Sequence, residues 1–200
     1  MCDLSYSILI RNQYAIRISM ALTDSAHAKK LTVAILGRKN SGKTSVAETV
    51  ISRLRDEGYK VASAKHVFVK GFSLDAKETD TYRHSKAGAN PVISVSDVET
   101  AILIKDGVAE FTLDRLRSWI PDADVLVLEG FSRHVLKDED VAKIVCVRTG
   151  AEYEDFRSKA KGKILAFCSF EHLGKDILRI REDLSILEHR VSDFIKRSLP

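Results

Sequence analysis

Residues 37–44 read GRKNSGKT, which matches the P-loop pattern G-x-x-x-x-G-K-[ST] at every position. The apolar run Leu31–Leu36 precedes this octet, and a helical pattern begins at Lys43. A strand, a glycine-rich loop and a helix in this order direct backbone N–H groups and the positive end of the helix dipole at an anion. We therefore predict a site for the phosphates of a nucleotide, in preference to a glycine turn before an ordinary helix.

The residue types of the octet suit phosphate binding. Gly37 and Gly42 have no Cβ, so the chain can wrap tightly at these positions. We expect Lys43 to reach the β- and γ-phosphates and the Thr44 hydroxyl to bind Mg²⁺. The remaining residues predicted to bind the nucleotide within this loop are Asn40, Ser41 and Ser45.

Composition limits the classes of protein to consider. The chain has 200 residues, of which 44% are hydrophobic and 30% charged, as expected for one globular domain. Its net charge of +4 fits a protein that handles anionic ligands, but it is too small to indicate a nucleic-acid partner. No apolar stretch approaches the ~20 residues of a membrane span, and the short run Leu4–Ile10 makes a poor signal peptide.

The cysteines indicate a reducing compartment. The three cysteines, Cys2, Cys146 and Cys168, are too few and too widely spaced for a disulfide framework or a zinc site. Cys146 and Cys168 lie in apolar runs, which predicts buried, unreactive thiols. We therefore expect a cytoplasmic location.

Residues 1–30 differ from the rest because they show no strong period. We expect them to be an extension outside the nucleotide-binding domain, which would span residues 31–200. Two interpretations stay open. The extension is either a disordered or strand-adding arm, or residues 1–19 are absent from the native protein and Met20 is the physiological start.

From Leu31 onward, predicted strands and helices alternate, which indicates an α/β fold. We predict a three-layer P-loop NTPase fold, with a mostly parallel sheet and helices on both faces. Two short strands, 92–95 and 101–105, are separated by a short polar turn and are expected to be antiparallel. The other predicted strands are 31–36, 61–66, 125–129, 144–148 and 164–169. The predicted helices are 43–57, 80–89, 111–120 and one at the C-terminus, and 151–162 is either a loop or a short helix.

An acid is expected at the end of one buried strand. Ligands of open α/β sheets bind outside the carboxyl ends of the strands, and Glu129 follows four apolar residues in VLVLE (125–129). P-loop enzymes place a metal-binding acid in this position, so Glu129 is our candidate for holding Mg²⁺, directly or through water. Asp122 and Asp124 are acids too, but they precede the strand and would lie far from the phosphates.

Further candidates follow the second strand. Lys65 could contact a phosphate or a substrate anion, and His66 could orient water or satisfy a backbone group. The charged segment 75–89 is long enough to suggest a function, such as a loop ordered by the γ-phosphate and Mg²⁺. Within it, Asp80 is a candidate metal ligand and catalytic acid, or alternatively only a helix N-cap, and Arg83 is a candidate nucleotide contact. The predicted catalytic set is therefore Lys43, Glu129 and Asp80.

These motifs together resemble a known family. The combination of GRKNSGKT (37–44), KH (65–66), LDAKETDTYRHSKAGA (74–89), VLVLEGF (125–131) and KIVCVR (143–148) is similar to the MobB family of molybdopterin guanine dinucleotide biosynthesis proteins. The resemblance implies a small, usually homodimeric GTP-binding protein of the P-loop class with weak GTPase activity. It also implies assistance to the MobA-type guanylyltransferase that attaches GMP to molybdopterin.

The chain departs from the family pattern at several positions. Ser132 follows Glu-Gly-Phe where family members have Lys or Arg, Ala142 replaces a proline, and 76–79 lacks the usual glycine-containing stretch. These positions bear on contacts with a partner or second substrate more than on nucleotide binding. Since the chain has no Asn-Lys-x-Asp motif, the preference for guanine is implied by the resemblance alone.

A second function remains open from the sequence. A P-loop small-molecule kinase that uses ATP or GTP would need a base for the acceptor and a lid with several arginines over the phosphates. Arg83, Arg133 and Arg148 are available for that purpose, but no lid-like insertion is present. Phosphoryl transfer to a small acceptor would distinguish this kinase from an accessory GTPase.

Overall fold

The fold is built on one parallel sheet and one separate hairpin. The structure is a computed structural model that describes residues 31–105 and 111–199; our expectations for residues 1–30 lie outside the described residues. The strands are β1 (Leu31–Gly37), β2 (Val61–Lys65), β3 (Val92–Val95), β4 (Thr100–Leu103), β5 (Val125–Glu129), β6 (Ala142–Cys146), β7 (Ile164–Ser169) and β8 (Ile177–Arg179). The helices are α1 (Lys43–Asp56), α2 (Asp80–Lys86), α3 (Leu113–Ser118), α4 (Ser132–Val135), α5 (Gly150–Lys159) and α6 (Leu184–Ser198).

The main sheet has six strands in the order β2-β5-β1-β6-β7-β8, and every neighbouring pair is parallel. β1 lies between β5 and β6, and its residues pack into apolar clusters on both faces of the sheet, which explains its nearly continuous apolar sequence. The predicted α/β fold with a mostly parallel sheet is confirmed. β3 and β4 form a separate antiparallel pair, as their spacing predicted.

Helices cover both faces of the main sheet. On one face, α1 and α6 pack against the sheet through fully buried residues such as Val50, Leu54 and Val191. Burial of one such side chain contributes about 1.5–3 kcal/mol. The other face is covered by α3 and α4 over β1 and β5, and by α5 over β6 and β7. In the described part of the chain, no helix has the length and apolar character needed to cross a membrane.

Several elements differ from the sequence prediction. β6 begins at Ala142, two residues before the predicted start, and includes Lys143, a fully buried lysine that the prediction had left outside the strand. The Lys143 ammonium donates hydrogen bonds to the carbonyl oxygens of Asp138 at 2.5 Å and Val141 at 2.7 Å, which compensate for its burial.

Three helices and strands were left open or not predicted. Residues 151–162, for which the sequence left a loop or a short helix open, lie mostly in helix α5, which Thr149 caps. α4 and β8 were not predicted, because elements of three or four residues have no measurable period.

The thiol prediction is confirmed for both described cysteines. Cys146 and Cys168 are free and buried. Burial raises the pKa of Cys168 to about 12 and raises that of Cys146 as well, so neither thiol ionises near neutral pH.

Candidate functional site

The P-loop joins β1 to α1, and its two glycines, Gly37 and Gly42, occupy positions where a side chain would not fit. Gly37 has φ +144°, and a Cβ on it would lie 2.3 Å from the carbonyl oxygen of Cys146. Gly42 has φ +90°, and its Cβ would lie 2.4 Å from Cδ1 of Ile180. The Ser41 hydroxyl donates a hydrogen bond to the carbonyl oxygen of Arg38 at 2.9 Å, which closes the loop. The backbone is therefore held in a tight turn at the amino end of α1.

Lys43 lies across this turn. Its Nζ donates a hydrogen bond to the carbonyl oxygen of Arg38 at 2.6 Å, so the ammonium is held over the loop rather than extended into solvent. Partial burial lowers the pKa of Lys43 from its ordinary value. A cation in this position can balance the charge of an anion bound by the loop N–H groups.

Three predicted residues meet beside the loop. The Thr44 hydroxyl donates to Glu129 Oε1 at 2.9 Å, and Lys65 Nζ lies 3.0 Å from the same oxygen. Lys65 Nζ also lies 3.4 Å from Thr44 Oγ1. The sheet produces this arrangement because Glu129 is in register with Lys65 on β2 and with Ile35 on β1.

The donor set suits Mg²⁺. A threonine hydroxyl and a carboxylate in direct contact are the hard oxygen ligands this ion prefers, and a P-loop beside them would supply the phosphates that complete its coordination. Thr44 and Glu129 are thus the described residues that would hold the ion. Lys65, which shares Oε1 of Glu129, would compete with the metal for this carboxylate or turn toward a phosphate.

His66 belongs to an aromatic cluster beside this site. Its backbone N–H donates to the carbonyl oxygen of Glu129 at 2.9 Å, which ties the end of β2 to β5. The imidazole contacts the rings of Phe68, Phe131 and His134, with centroids 4.1, 5.3 and 5.5 Å away. Burial, together with His134, lowers the pKa of His66 and favours the neutral ring. Nδ1 of the ring is buried without a hydrogen-bond partner among the described residues, so the ring does not satisfy a backbone group through this atom, and the bond to Glu129 comes from the main chain.

The contacts of Asp80 and Arg83 do not bring these two side chains to the P-loop site. Their side chains are 86% and 76% exposed and pair with each other at 3.4 Å. Within residues 31–105 and 111–199, no hydrogen bond or ion pair joins either side chain to the P-loop, Glu129 or Lys65. The alternative role of Asp80 as an N-cap is wrong, because Thr79 caps α2 by accepting a hydrogen bond from the Tyr82 N–H.

The buried acid of this segment is Asp75. Its Oδ1 accepts hydrogen bonds from the Thr81 hydroxyl at 2.7 Å and the Thr79 hydroxyl at 2.9 Å, and Lys105 Nζ lies 3.7 Å from Oδ2. The hydrogen bond from Thr81 is the main cause that holds the pKa of Asp75 below its ordinary value. These contacts fasten the start of α2, so Asp75 organises the loop that we predicted to be a switch.

Sequence reasoning missed Glu152. This buried carboxylate on α5 accepts hydrogen bonds from Arg148, through the backbone N–H at 2.9 Å, Nε at 3.0 Å and Nη2 at 2.5 Å. Arg38 of the P-loop lies 3.9 Å from it. The hydrogen bonds from the Arg148 side chain lower the pKa of Glu152. The sequence contained one indication of this ion pair, an acid four residues after an arginine. This spacing does not indicate that the acid is buried.

A cavity opens over the P-loop. It has a volume of about 320 Å³ and is lined by residues 40–45 and Phe170. A larger cavity of about 420 Å³ lies between α2 and β3, but its lining, which runs from His84 to Ile93, contains none of the converging residues. We therefore place the candidate site at the smaller cavity and the adjoining Thr44–Glu129 contact.

Comparisons with known proteins give relatives in sequence and in fold. The family profile described as "MobB: Molybdopterin guanine dinucleotide synthesis protein B" matches residues 32–170. A putative molybdopterin-guanine dinucleotide biosynthesis adapter protein of Methanocaldococcus jannaschii is 32% identical over 116 residues. That match covers 58% of this chain and 47% of the relative, so the chain spans about half the length of that curated relative.

Two solved structures are similar in fold. A crystal structure of molybdopterin-guanine biosynthesis protein B (mobB) superposes with a TM-score of 0.62 at 26% identity, covering 83% of this chain and 99% of that one. A MobB protein homolog from Bacillus stearothermophilus gives a TM-score of 0.60 at 17% identity, covering 83% and 98%. The second likeness concerns the fold alone.

Proposed function

Because this chain belongs to the MobB family, we propose that it acts in the synthesis of molybdopterin guanine dinucleotide, as a protein that binds Mg·GTP and hydrolyses it slowly. The observation that carries the proposal is the meeting of Thr44, Glu129 and Lys65 beside the P-loop, with contacts of 2.9 to 3.4 Å. A P-loop that only shaped a turn would not need a hydroxyl, an acid and a second lysine at its edge.

In this proposal each residue has a distinct task. The loop N–H groups and Lys43 bind the phosphates, while Thr44 and Glu129 would hold the ion. Mg²⁺, when bound, neutralises charge on the β- and γ-phosphates. Lys65 lies close enough to Thr44 and Glu129 to contact a terminal phosphate oxygen, and His66 fixes the backbone of Glu129.

Slow hydrolysis is proposed because two of the three candidate arginines, Arg83 and Arg148, already pair with carboxylates. Arg148 is held by Glu152, and Arg83 pairs with Asp80 away from the loop. An arginine that stabilises the transition state increases the rate by roughly 10³–10⁵ in P-loop enzymes. Without one, we expect turnover of about 10⁻⁴ to 10⁻³ per second. The same pairing weighs against the kinase alternative, whose lid would use Arg83 and Arg148.

The partners are part of the proposal. A MobA-type guanylyltransferase is the expected protein partner, with molybdopterin as a further ligand and the cytoplasm as the location, in keeping with two free buried thiols. We also propose a homodimer. The hairpin β3–β4 exposes Ile93, Val95 and Ile102 on one face, because Ile93 is paired with Ile102 and Val95 lies two residues further on. Exposed apolar patches of this kind commonly mark interfaces.

The experiment is a coupled assay with a purified guanylyltransferase, molybdopterin and Mg·GTP. Adding the full chain should increase the rate of dinucleotide formation, and adding the Lys43→Ala variant should not. Rapid phosphoryl transfer from GTP or ATP to a small acceptor would instead favour a kinase. Absence of any stimulation by the wild-type chain would contradict the accessory role.

A further inference from the structure

An exposed aromatic ring lies on the wall of the P-loop cavity. Phe170 directly follows the last residue of β7, and 44% of the residue is exposed although β7 itself is buried from Leu165 to Ser169. The Arg181 guanidinium lies over this ring, 5.7 Å from its centroid. Arg181 follows β8 by two residues, so both side chains come from neighbouring strands at the carboxyl edge of the sheet.

The ring is in direct contact with the phosphate-binding loop. Phe170 lines the cavity together with residues 40–45. A Cβ built on Gly42 would lie 2.9 Å from Cε2 of Phe170, which shows how closely the ring approaches the amino end of α1. The absence of a side chain at Gly42 therefore leaves room for the ring as well as for the turn.

The strand order separates two sides of the loop. β5 and β2, which supply Glu129 and Lys65, lie on one side of β1, whereas β6, β7 and β8 lie on the other. In the proposed function, the ion and the terminal phosphate bind on the side of Glu129. The remainder of the nucleotide would then extend past Gly42, toward Phe170 and Arg181.

We propose that Phe170, positioned by Arg181, is the stacking platform for the purine base of the nucleotide whose phosphates bind the P-loop. This inference rests on the proposed nucleotide binding and extends it to the base. A phenyl ring offers a face to any purine, and cation–π contact with the guanidinium limits the orientations the ring can take. Stacking explains why a large apolar side chain stays exposed at the end of a buried strand.

The test compares ligands with and without a base. The full chain is titrated by calorimetry with Mg·GTP, Mg·ATP and Mg·tripolyphosphate. Phe170→Ala should lower the affinity for both nucleotides about tenfold or more and change that for tripolyphosphate by less than twofold. Phe170→Tyr keeps an aromatic ring and should bind both nucleotides with an affinity close to that of the wild type. If Phe170→Ala does not fold, Phe170→Leu, which keeps an apolar side chain without a ring, should show the same selective loss.

Trp119 provides a matched control. It is also an exposed aromatic residue with an arginine over its ring, Arg115 at 5.6 Å, but it lies before β5, at the opposite edge of the sheet. Trp119→Ala should leave all three affinities unchanged. Wild-type nucleotide affinity in Phe170→Ala, or an equal loss for tripolyphosphate, would overturn the proposed stacking on Phe170 while leaving the proposed nucleotide binding intact. If the wild-type chain binds none of the three ligands, the proposed function fails and the platform with it.

Discussion

The Thr44 hydroxyl donates a hydrogen bond to Glu129 Oε1 across 2.9 Å, and so joins the first turn of α1 to the end of β5. The two residues are 85 positions apart in the sequence. They meet because β1 and β5 are adjacent parallel strands whose carboxyl ends lie at one edge of the sheet. The pair gives the phosphate loop a carboxylate neighbour, which is the basis of the proposed metal site.

Lys43 is expected to be essential for binding. Lys43→Ala should lower the affinity for Mg·GTP at least about 100-fold, because it removes the main charge partner of the phosphates. Equilibrium titration measures the effect. Lys60→Ala is a suitable control, since Lys60 is an exposed lysine before β2 at the other edge of the sheet. Unchanged affinity in the Lys43 variant would refute the P-loop assignment.

Glu129 should matter more for hydrolysis than for binding. Glu129→Gln keeps the size of the side chain but removes the charge that would hold Mg²⁺, so we expect at least about a tenfold loss of Mg²⁺-dependent turnover with most binding retained. Asp122→Asn, before β5 at the opposite edge of the sheet, should hydrolyse GTP at the wild-type rate. A wild-type rate in Glu129→Gln together with a loss in Asp80→Asn would transfer the metal role to Asp80.

Glu152 should stabilise the fold around the loop. Glu152→Gln should lower the free energy of unfolding by about 1–3 kcal/mol, because the hydrogen bonds that Arg148 donates to this buried carboxylate lose their charged acceptor. Denaturant unfolding provides the measurement. Glu154→Gln, on the exposed side of α5, should change the stability by less than about 0.5 kcal/mol. Equal stabilities for the two variants would show that the Arg148–Glu152 network contributes nothing.

Asp75 predicts a pH dependence of stability. Its pKa is depressed in the folded chain, mainly by the Thr81 hydrogen bond. The ionised form therefore stabilises the fold fully above the unfolded-state pKa of about 3.9, and this contribution is lost as the pH falls through the lower folded-state value. Asp75→Asn should melt below the wild type at pH 7, and the difference should shrink below about pH 4. A difference that stays constant from pH 7 to pH 3 would contradict this role.

The fold was predictable where the pattern of apolar residues was clear. β1, β5 and β7 are continuous apolar runs, and α1 has a clear apolar stripe that ends near Gly58, so these elements were placed within a residue of their observed ends. Family membership also followed from the motifs, and the profile match confirms it. Nucleotide binding and the metal role stay predictions.

The parts that sequence reasoning missed depend on tertiary contacts. Lys143 is buried in a strand because two carbonyl oxygens accept its protons, and no local pattern indicates that. Glu152 and Phe170 reach the loop only through the strand order, which places β6 and β7 on the side of β1 away from Glu129. Conversely, Asp80 has the right chemistry for a metal ligand, but its contacts leave it exposed beside Arg83.

The central claim is that the P-loop and the Thr44–Glu129 pair form a site for Mg·GTP. The most direct test is calorimetric titration of the full chain with GTP and with ATP, each in the presence and absence of Mg²⁺. We predict tighter binding of GTP than of ATP and a clear gain in affinity when Mg²⁺ is present. A preference for ATP, or an affinity for GTP that Mg²⁺ does not change, would contradict it.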